Sequence, residues 1–268
     1  MVIDFHTHAF PDQIARRAID SLCENSGHLF EPCHNGTLGG LIDNMKKFGV
    51  DISVVQPVIT KPSQTETLNL WAAEITRQNE NIISFGGIHP HTDDYKRDID
   101  FVCSLGLLGL KFHCEYQDFK IDDPLMLKIY DYAFSRGLII LHHAGFDPAF
   151  PAPYRSSPKM FASVSKQMQG GIMIAAHFGG GRQWDEVEQF LVGTNIYLDT
   201  SMGQEYYSNE QFTRIVSAHG ADKILFGSDS PWSRADLEIS SIENSPLNDD
   251  EKALIFHKNA EKLLNLTL

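Results

Sequence analysis

The sequence has little cysteine, a deficit of basic charge and no long apolar run. Its four cysteines (Cys23, Cys33, Cys103, Cys114) stand too far apart for a C-x-x-C site, and nothing in their spacing points to an oxidising compartment. Lys and Arg number 22 against 35 Asp and Glu, a formal charge of −13. A duplex or a membrane headgroup surface is bound through a basic face, so neither partner is expected. No stretch reaches the roughly 18 unbroken apolar residues of a membrane span, and residues 1–6 show no charged n-region or apolar run of a secretion signal. Low-complexity tracts, charge blocks and linkers are missing too. The expectation is a cytoplasmic protein, one domain over residues 1–268, acting on a small molecule; a homodimer is left open. What the sequence does have is histidine, 12 of them.

One rhythm repeats along the chain. Short apolar runs at 2–5, 52–58, 82–88, 107–112, 138–141, 172–176, 196–198 and 223–226 each end in polar, Gly or Pro residues. Helical stretches follow them, at about 12–24, 64–80, 93–104, 123–136, 157–169, 183–191, 208–219 and 234–243, with a last one over 248–264. Asp93, Asp123 and Ser208 suit helix starts, and Gly137 and Gly220 suit helix stops. Strands rich in Ile, Val, Leu and Phe alternating with helices predict a parallel sheet buried on both faces. Eight such units match a (β/α)8 TIM barrel in size, although a doubly wound open sheet gives the same rhythm. Two insertions break the pattern, at 27–40 and 145–158.

The placement of polar residues decides for the barrel. His6, His8, His89, His91, His113, His142, His143 and His177 all fall at the C-terminal tips of predicted strands, and Asp229 ends the eighth. In a parallel barrel those tips share the face that carries active sites. Side chains alternate along a strand, so His6 and His8 point the same way, about 7 Å apart, and can converge on one metal ion. By the same parity Asp4 points inward, where it would support a metal-bound imidazole. A lone H-x-H is often a loop coincidence, and an Asp in Gly227-Ser228-Asp229-Ser230-Pro231 is often a turn cap. With His143, His177 and Asp229 on later strands, the metal reading is preferred, with Asp229 as a proton-accepting carboxylate.

These residues resemble a known family. Ile3-Asp4-Phe5-His6-Thr7-His8, Gly109-Leu110-Lys111-Phe112-His113, His143-Ala144-Gly145, Ala176-His177-Phe178-Gly179-Gly180, Phe226-Gly227-Ser228-Asp229-Ser230-Pro231 and Asn259-Ala260-Glu261-Lys262-Leu263-Leu264 occur in this order over nearly the whole chain. They are similar to the amidohydrolase superfamily, in the amidohydrolase 2 branch that also contains metal-dependent decarboxylases of aromatic and related acids. The resemblance implies a distorted (β/α)8 barrel with one or two divalent metals, zinc foremost. It implies His6, His8 and His143 as ligands, and Asp229 as the eighth-strand carboxylate. His177 would ligate a second metal or act catalytically. Lys111 has two readings that stand level: a carboxylated lysine bridging two metals, or a lysine paired with a carboxylate. Lys111, His113 and Glu115 share a parity if the strand stays extended, which makes Glu115 an alternative ligand and His113 a substrate contact. Cys114, of opposite parity, reads as a buried apolar residue.

Adjacent His142 and His143 cannot both face the axis, and the His-Ala-Gly match selects His143. His142 is then expected against the helices. His89 is a candidate substrate contact, while His91 suits solvent, and His28, His34, His219 and His257 read as structural. The second insertion should overhang the site with Phe146, Phe150 and Tyr154, joined by Tyr116 and Trp232. Arg155 is a candidate counter-charge for an anionic substrate, although a lone loop arginine is more often exposed.

A divalent ion held by neutral imidazoles and a carboxylate lowers the pKa of its water to ~7 and polarises a carbonyl. Hydrolysis of an amide, cyclic amide, lactone or ester is therefore the expected reaction. The alternative is non-oxidative decarboxylation of a small aromatic or unsaturated acid. A metal-binding protein without catalysis ranks last, because the proton-handling Asp229 is present. Histidine and carboxylate ligands suit zinc but also manganese, iron, cobalt or nickel.

Overall fold

The computed structural model describes residues 1–168, 170–203 and 206–266. The chain opens with β1 (Ile3–Thr7), α1 (Asp12–Asn25), α2 (Leu38–Phe48), β2 (Ile52–Val55), α3 (Thr65–Gln78) and β3 (Ile82–Ser84). Then come α4 (Tyr95–Ser104), β4 (Gly109–Phe112), α5 (Pro124–Ser135), β5 (Ile139–His142), α6 (Pro158–Gln167) and β6 (Met173–Ala175). It ends with α7 (Trp184–Phe190), β7 (Tyr197–Asp199), α8 (Asn209–His219), β8 (Ile224–Leu225), α9 (Ala235–Glu243), α10 (Asp249–Ala253), a π-helical turn (Leu254–Lys258) and α11 (Asn259–Leu264).

Strands β1–β3 and β4–β8 form two parallel ladders in sequence order. Two seams close them into a distorted barrel. At one, Gly86 N–H donates to Gly109 O (2.8 Å) and Lys111 N–H to Gly86 O (2.9 Å). At the other, Phe5 N–H donates to Phe226 O (2.8 Å) and Asp229 N–H to His6 O (2.7 Å). Among the described residues, no helix is long and apolar enough to cross a membrane.

Alternation divides the apolar residues between two layers. Outward Phe112, Ile140, Ala175, Leu198 and Phe226 pack under the helices. Inward Ile3, Phe5, Val54, Phe85, Leu141, Ile174 and Leu225 fill the barrel, and Ala260, Leu263 and Leu264 of α11 close its N-terminal end. Asn259 fixes that closure, its amide donating to Ala221 O and Ile224 O at 2.7 Å each. His142 faces the helices as expected, buried among Phe112, Tyr130 and Phe161.

The first β-to-β connection holds a helix that the hydrophobic periodicity missed. α2 starts inside the 27–40 insertion, with Gly39 and Gly40 in its first turn weakening the helical signal. Its ends were nonetheless written in the sequence: the Thr37 side chain accepts from Gly40 N–H, and Gly49 stops the helix at φ 76°. The cap of α4 is Asp94, one residue after the expected Asp93, and it accepts from Lys96 and Arg97 N–H. Ser208 caps α8 as expected.

A second departure lies in β1. Asp4 stands opposite Ser53, but Thr7 stands opposite Val55, so β1 carries one residue more than β2 between these points. The bulge puts Asp4 and Thr7 on one face and His6 on the other. Asp4 therefore does not share the inward parity of His6 and His8. Its carboxylate accepts from Ser228 N–H (2.9 Å), Ser228 Oγ–H and His6 N–H (3.2 Å), tying β1 to the turn after β8. Burial pushes it up to about 7 in spite of those bonds.

His219 pins α8 to the entry of β7: its Nε2–H donates to Ile196 O (2.8 Å) and its Nδ1 accepts from Gly193 N–H (3.3 Å). Burial keeps this imidazole neutral by lowering its pKa. Its stabilisation is therefore complete above the unfolded imidazole value of ~6.5 and is lost as pH falls below it. At pH 8, His219→Leu should lose about 1–3 kcal/mol in chemical denaturation, because two backbone groups are left unpaired. The gap to wild type should narrow as the pH falls below about 6.5, because only the wild type must protonate this ring; a gap that widens on acidification contradicts the assignment.

Candidate metal centre

Above the apolar fill, the inward positions turn ionisable within one pleat. Phe5 gives way to His6 across the bulge, Leu141 to His143, Tyr197 to Asp199, and Gly109 to Lys111. Two residues here adopt the left-handed backbone region that side chains disfavour, His177 at φ 55° and Asp229 at φ 64°. Surrounding bonds must hold such strain. His177 N–H is taken by Asp199 Oδ1 (3.0 Å), and Asp229 N–H by His6 O.

His6, His8 and Asp229 bring one donor atom each within 4.8 Å of one another. Each imidazole is gripped from behind. His8 Nδ1–H donates to Gln56 O (2.9 Å), and His6 Nδ1–H donates to Asp199 Oδ2 (3.0 Å). Those bonds set the tautomer and leave both Nε2 lone pairs forward. His8 Nε2 faces Asp229 Oδ1 at 3.0 Å and His6 Nε2 faces it at 3.4 Å. Acceptors facing acceptors at this range are reconciled by a cation between them, so the trio fits a divalent ion. Asp229 needs positive charge at this point: burial works against its ionisation, and with protons on the two imidazoles the charge of His6 and the bond and charge of His8 outweigh that burial, holding the carboxyl well below its usual range.

A hydrogen-bond chain extends the site to two more histidines. Ser201 Oγ–H donates to Asp199 Oδ1, so the bond between His177 Nδ1 and Ser201 Oγ (3.0 Å) must run from the imidazole. His177 Nε2 is then an acceptor, and it takes the Nδ1–H of His143 at 3.0 Å. The consequence is a bare Nε2 on His143, buried and unpartnered. It suits a ligand, but by distance it groups with His113 and Asp147 rather than with the trio. That second group does not suit an ion. The His113 and His143 rings stack at 4.1 Å with only 15° between their planes. Their in-plane lone pairs therefore run side by side and cannot meet at the ~2.0–2.1 Å that an imidazole–metal bond requires. His113 instead pairs with Asp147 (Nε2–Oδ2 3.1 Å).

Lys111 is fully buried, and its ammonium donates to His6 Nε2 at 2.9 Å, occupying the lone pair that a bound ion would take in its place. Among the described residues it makes no ion pair, so the expected carboxylate partner is not the one it has. Burial brings its pKa down to about 8, against the pull of Asp229 and Asp199.

The donors form the floor of a cavity of about 440 Å³, in the range of small-molecule sites. His113, His143, His177, Tyr116, Phe146 and Trp232 line it, as do Ile14, Leu22, Phe30 and Trp71. Phe150 and Tyr154 of the second insertion stand one layer back, edge-on to Tyr116 and Phe146. Three expected contacts are absent from the lining. His89 sits beside His91, its Nδ1 accepting from His91 N–H (3.2 Å). Glu115 fails as a ligand because β4 ends at Phe112 and the chain turns, with Gln117 N–H bonded to His113 O (3.0 Å). Parity does not carry through that turn, and Glu115 instead accepts from Arg155 N–H (2.7 Å) and pairs with its Nε (3.2 Å). The same pairing, with a second to Asp118 at 2.8 Å, removes Arg155 as a counter-charge.

Sequence reasoning missed Asp199, Asp147 and Ser201. For Asp199 the signal was present: a carboxylate at the tip of the seventh strand, one residue beyond the apolar run at 196–198.

The family profile described as "Amidohydrolase" matches residues 3–266. Among solved structures, a TIM-barrel protein from Bordetella bronchiseptica superposes with a TM-score of 0.78 at 16% identity, covering 98% of each chain. A probable 2-pyrone-4,6-dicarboxylic acid hydrolase from Acinetobacter baumannii, with citric acid bound, gives 0.68 at 16% over 99% of each. A 5-carboxyvanillate decarboxylase from Novosphingobium aromaticivorans, with bound manganese and a nitrobenzoic acid, gives 0.73 at 14%, covering 99% of this chain and 97% of that one. At these identities the likeness is one of fold. Sequence comparison with curated proteins finds no match.

Asp199→Asn puts an amide where both oxygens now accept, from His6 on one side and from His177 and Ser201 N–H on the other. Calorimetric titration of the chelator-stripped variant with Zn²⁺ or Mn²⁺ should show an affinity lower by about 10–100-fold. Unchanged affinity in a folded variant would remove Asp199 from the site.

Proposed function

Because the chain belongs to the amidohydrolase family, we propose that it is a metal-dependent hydrolase cleaving an amide, cyclic amide, lactone or ester bond in a small molecule. The observation that carries this reading is the convergence of His6 Nε2 and His8 Nε2 on one oxygen of a buried, ionised Asp229. His6, His8 and Asp229 would hold one divalent ion, zinc by preference, while the bare Nε2 of His143, expected as a ligand, stands outside that trio. When bound, that ion supplies Lewis acidity, polarising the scissile carbonyl and acidifying water.

The chain's own groups do the rest. Asp229, held as a carboxylate at the cavity floor, accepts the proton of the attacking water and returns it to the leaving atom. The Asp199–Ser201–His177–His143 chain keeps each imidazole in one tautomer, so no donor must reorganise during the reaction. Apolar walls above the floor limit competing water.

A second reading is non-oxidative decarboxylation at the same floor. What supports it is the buried ammonium of Lys111, which an ion on His6 would release toward a substrate carboxylate, together with decarboxylases among the structural neighbours.

Protein purified without chelator should contain about one divalent ion per chain by elemental analysis, and His6→Ala should lose it. On a panel of esters, lactones, amides and cyclic amides, Asp229→Asn should lower kcat by about 10²–10⁴-fold. Full activity of metal-free protein contradicts the mechanism. Carbon dioxide release from aromatic acids, with no turnover of the hydrolysis panel, replaces hydrolysis by the second reading.

A further inference from the structure

The cavity lining contains two Lys or Arg side chains, Lys111 on the floor and Arg182 at the mouth. Lys111 lies at the reacting end, bonded to His6. Arg182 is exposed and, among the described residues, its guanidinium makes no ion pair or hydrogen bond. It is not loosely solvated, however. The guanidinium carbon lies 4.0 Å from the ring centre of Phe146 and 4.7 Å from that of Tyr206. Aromatic faces engage the flat of a guanidinium and leave its N–H edges free, in the forked arrangement that matches a carboxylate.

The backbone builds this placement. Gly181 N–H donates to Ala144 O (2.8 Å) and Phe146 N–H donates to Gly181 O (3.0 Å), bridging the loops after β5 and β6. The approach is close enough to need glycine: a Cβ on Gly145, at φ 79°, would stand 2.5 Å from Gly181 N. Next to this bridge Arg182 adopts φ 59°, a conformation a free loop would relax. The cavity walls are mostly apolar, with Ile14, Leu22, Phe30, Trp71 and Trp232 among them.

We propose that Arg182 is a specificity-determining residue that binds a carboxylate at the end of the substrate remote from the scissile bond. The substrate class is then an acid with an apolar or aromatic body, its anion at the mouth and its reacting carbonyl at His6, His8 and Asp229. This deepens the hydrolase reading and rests on it, but the test does not need turnover.

Trp71, Trp184 and Trp232, the three tryptophans of the chain, all line the cavity, so their fluorescence reports occupancy. The probes are 3-phenylpropionate, its neutral amide and 2-phenylethylphosphonate, titrated against protein as purified and after chelation. Wild type should bind the carboxylate at least tenfold more tightly than the amide in both states, and more tightly than the phosphonate. Arg182→Met should lose that preference while binding the amide as wild type does, which also shows that it is folded; Arg182→Lys should keep part of it, and Arg155→Met all of it. Three outcomes overturn the proposal: no carboxylate preference in wild type, a preference that survives Arg182→Met, or tighter binding of the phosphonate. A preference abolished by chelation but untouched by Arg182→Met places the carboxylate on the metal, which sinks the Arg182 assignment and leaves the metal reading standing.

Discussion

A carboxylate removed from water must be satisfied from within, and Asp199 does this for the whole centre. It accepts the ring proton of His6 from β1, the backbone N–H of His177 after β6, and both N–H and hydroxyl of Ser201 after β7. Burial alone would raise its pKa, but the attraction and hydrogen bond of His6, with the help of His177 and Ser201, hold it down. Three neighbouring connections are thereby locked to one charge. The tautomers of His6 and His177 follow from it, and that of His143 follows from His177. Little about the donor set would remain fixed if this anion were lost.

The barrel separates its tasks by height. Below, fully buried Ile, Val, Leu and Phe side chains supply cohesion, and α11 seals the end. Above, the same strand faces carry imidazoles and carboxylates whose desolvation opposes folding unless every lone pair is met. The left-handed backbone at His177 and Asp229 shows where the upper layer departs most from what the chain would adopt alone.

Much of this layering was legible from the residues. Apolar runs followed by histidine mark strand tips to within two residues, as at His6, His143 and His177. Legibility failed where the backbone departs from regular geometry. A single extra residue in β1 reversed the parity of Asp4, and the turn after Phe112 carried Glu115 out of the site to Arg155. Asp199 escaped because the seventh strand tip carries no histidine to mark it, and α2 because two glycines dilute its start. Side-chain alternation is a local rule, and it expires at the first bulge or turn. The stacking of His113 on His143 joins two different strand ends, and no pattern within either segment announces it.

The seal formed by Ala260, Leu263 and Leu264 has a kinetic consequence. With the barrel blocked from beneath by close-packed aliphatic side chains, an ion held by His6, His8 and Asp229 would have to enter and leave through the cavity mouth, the same opening a small molecule would use. A ligand in the upper chamber would then stand between such an ion and solvent, and a chelator would reach it only while the chamber is empty.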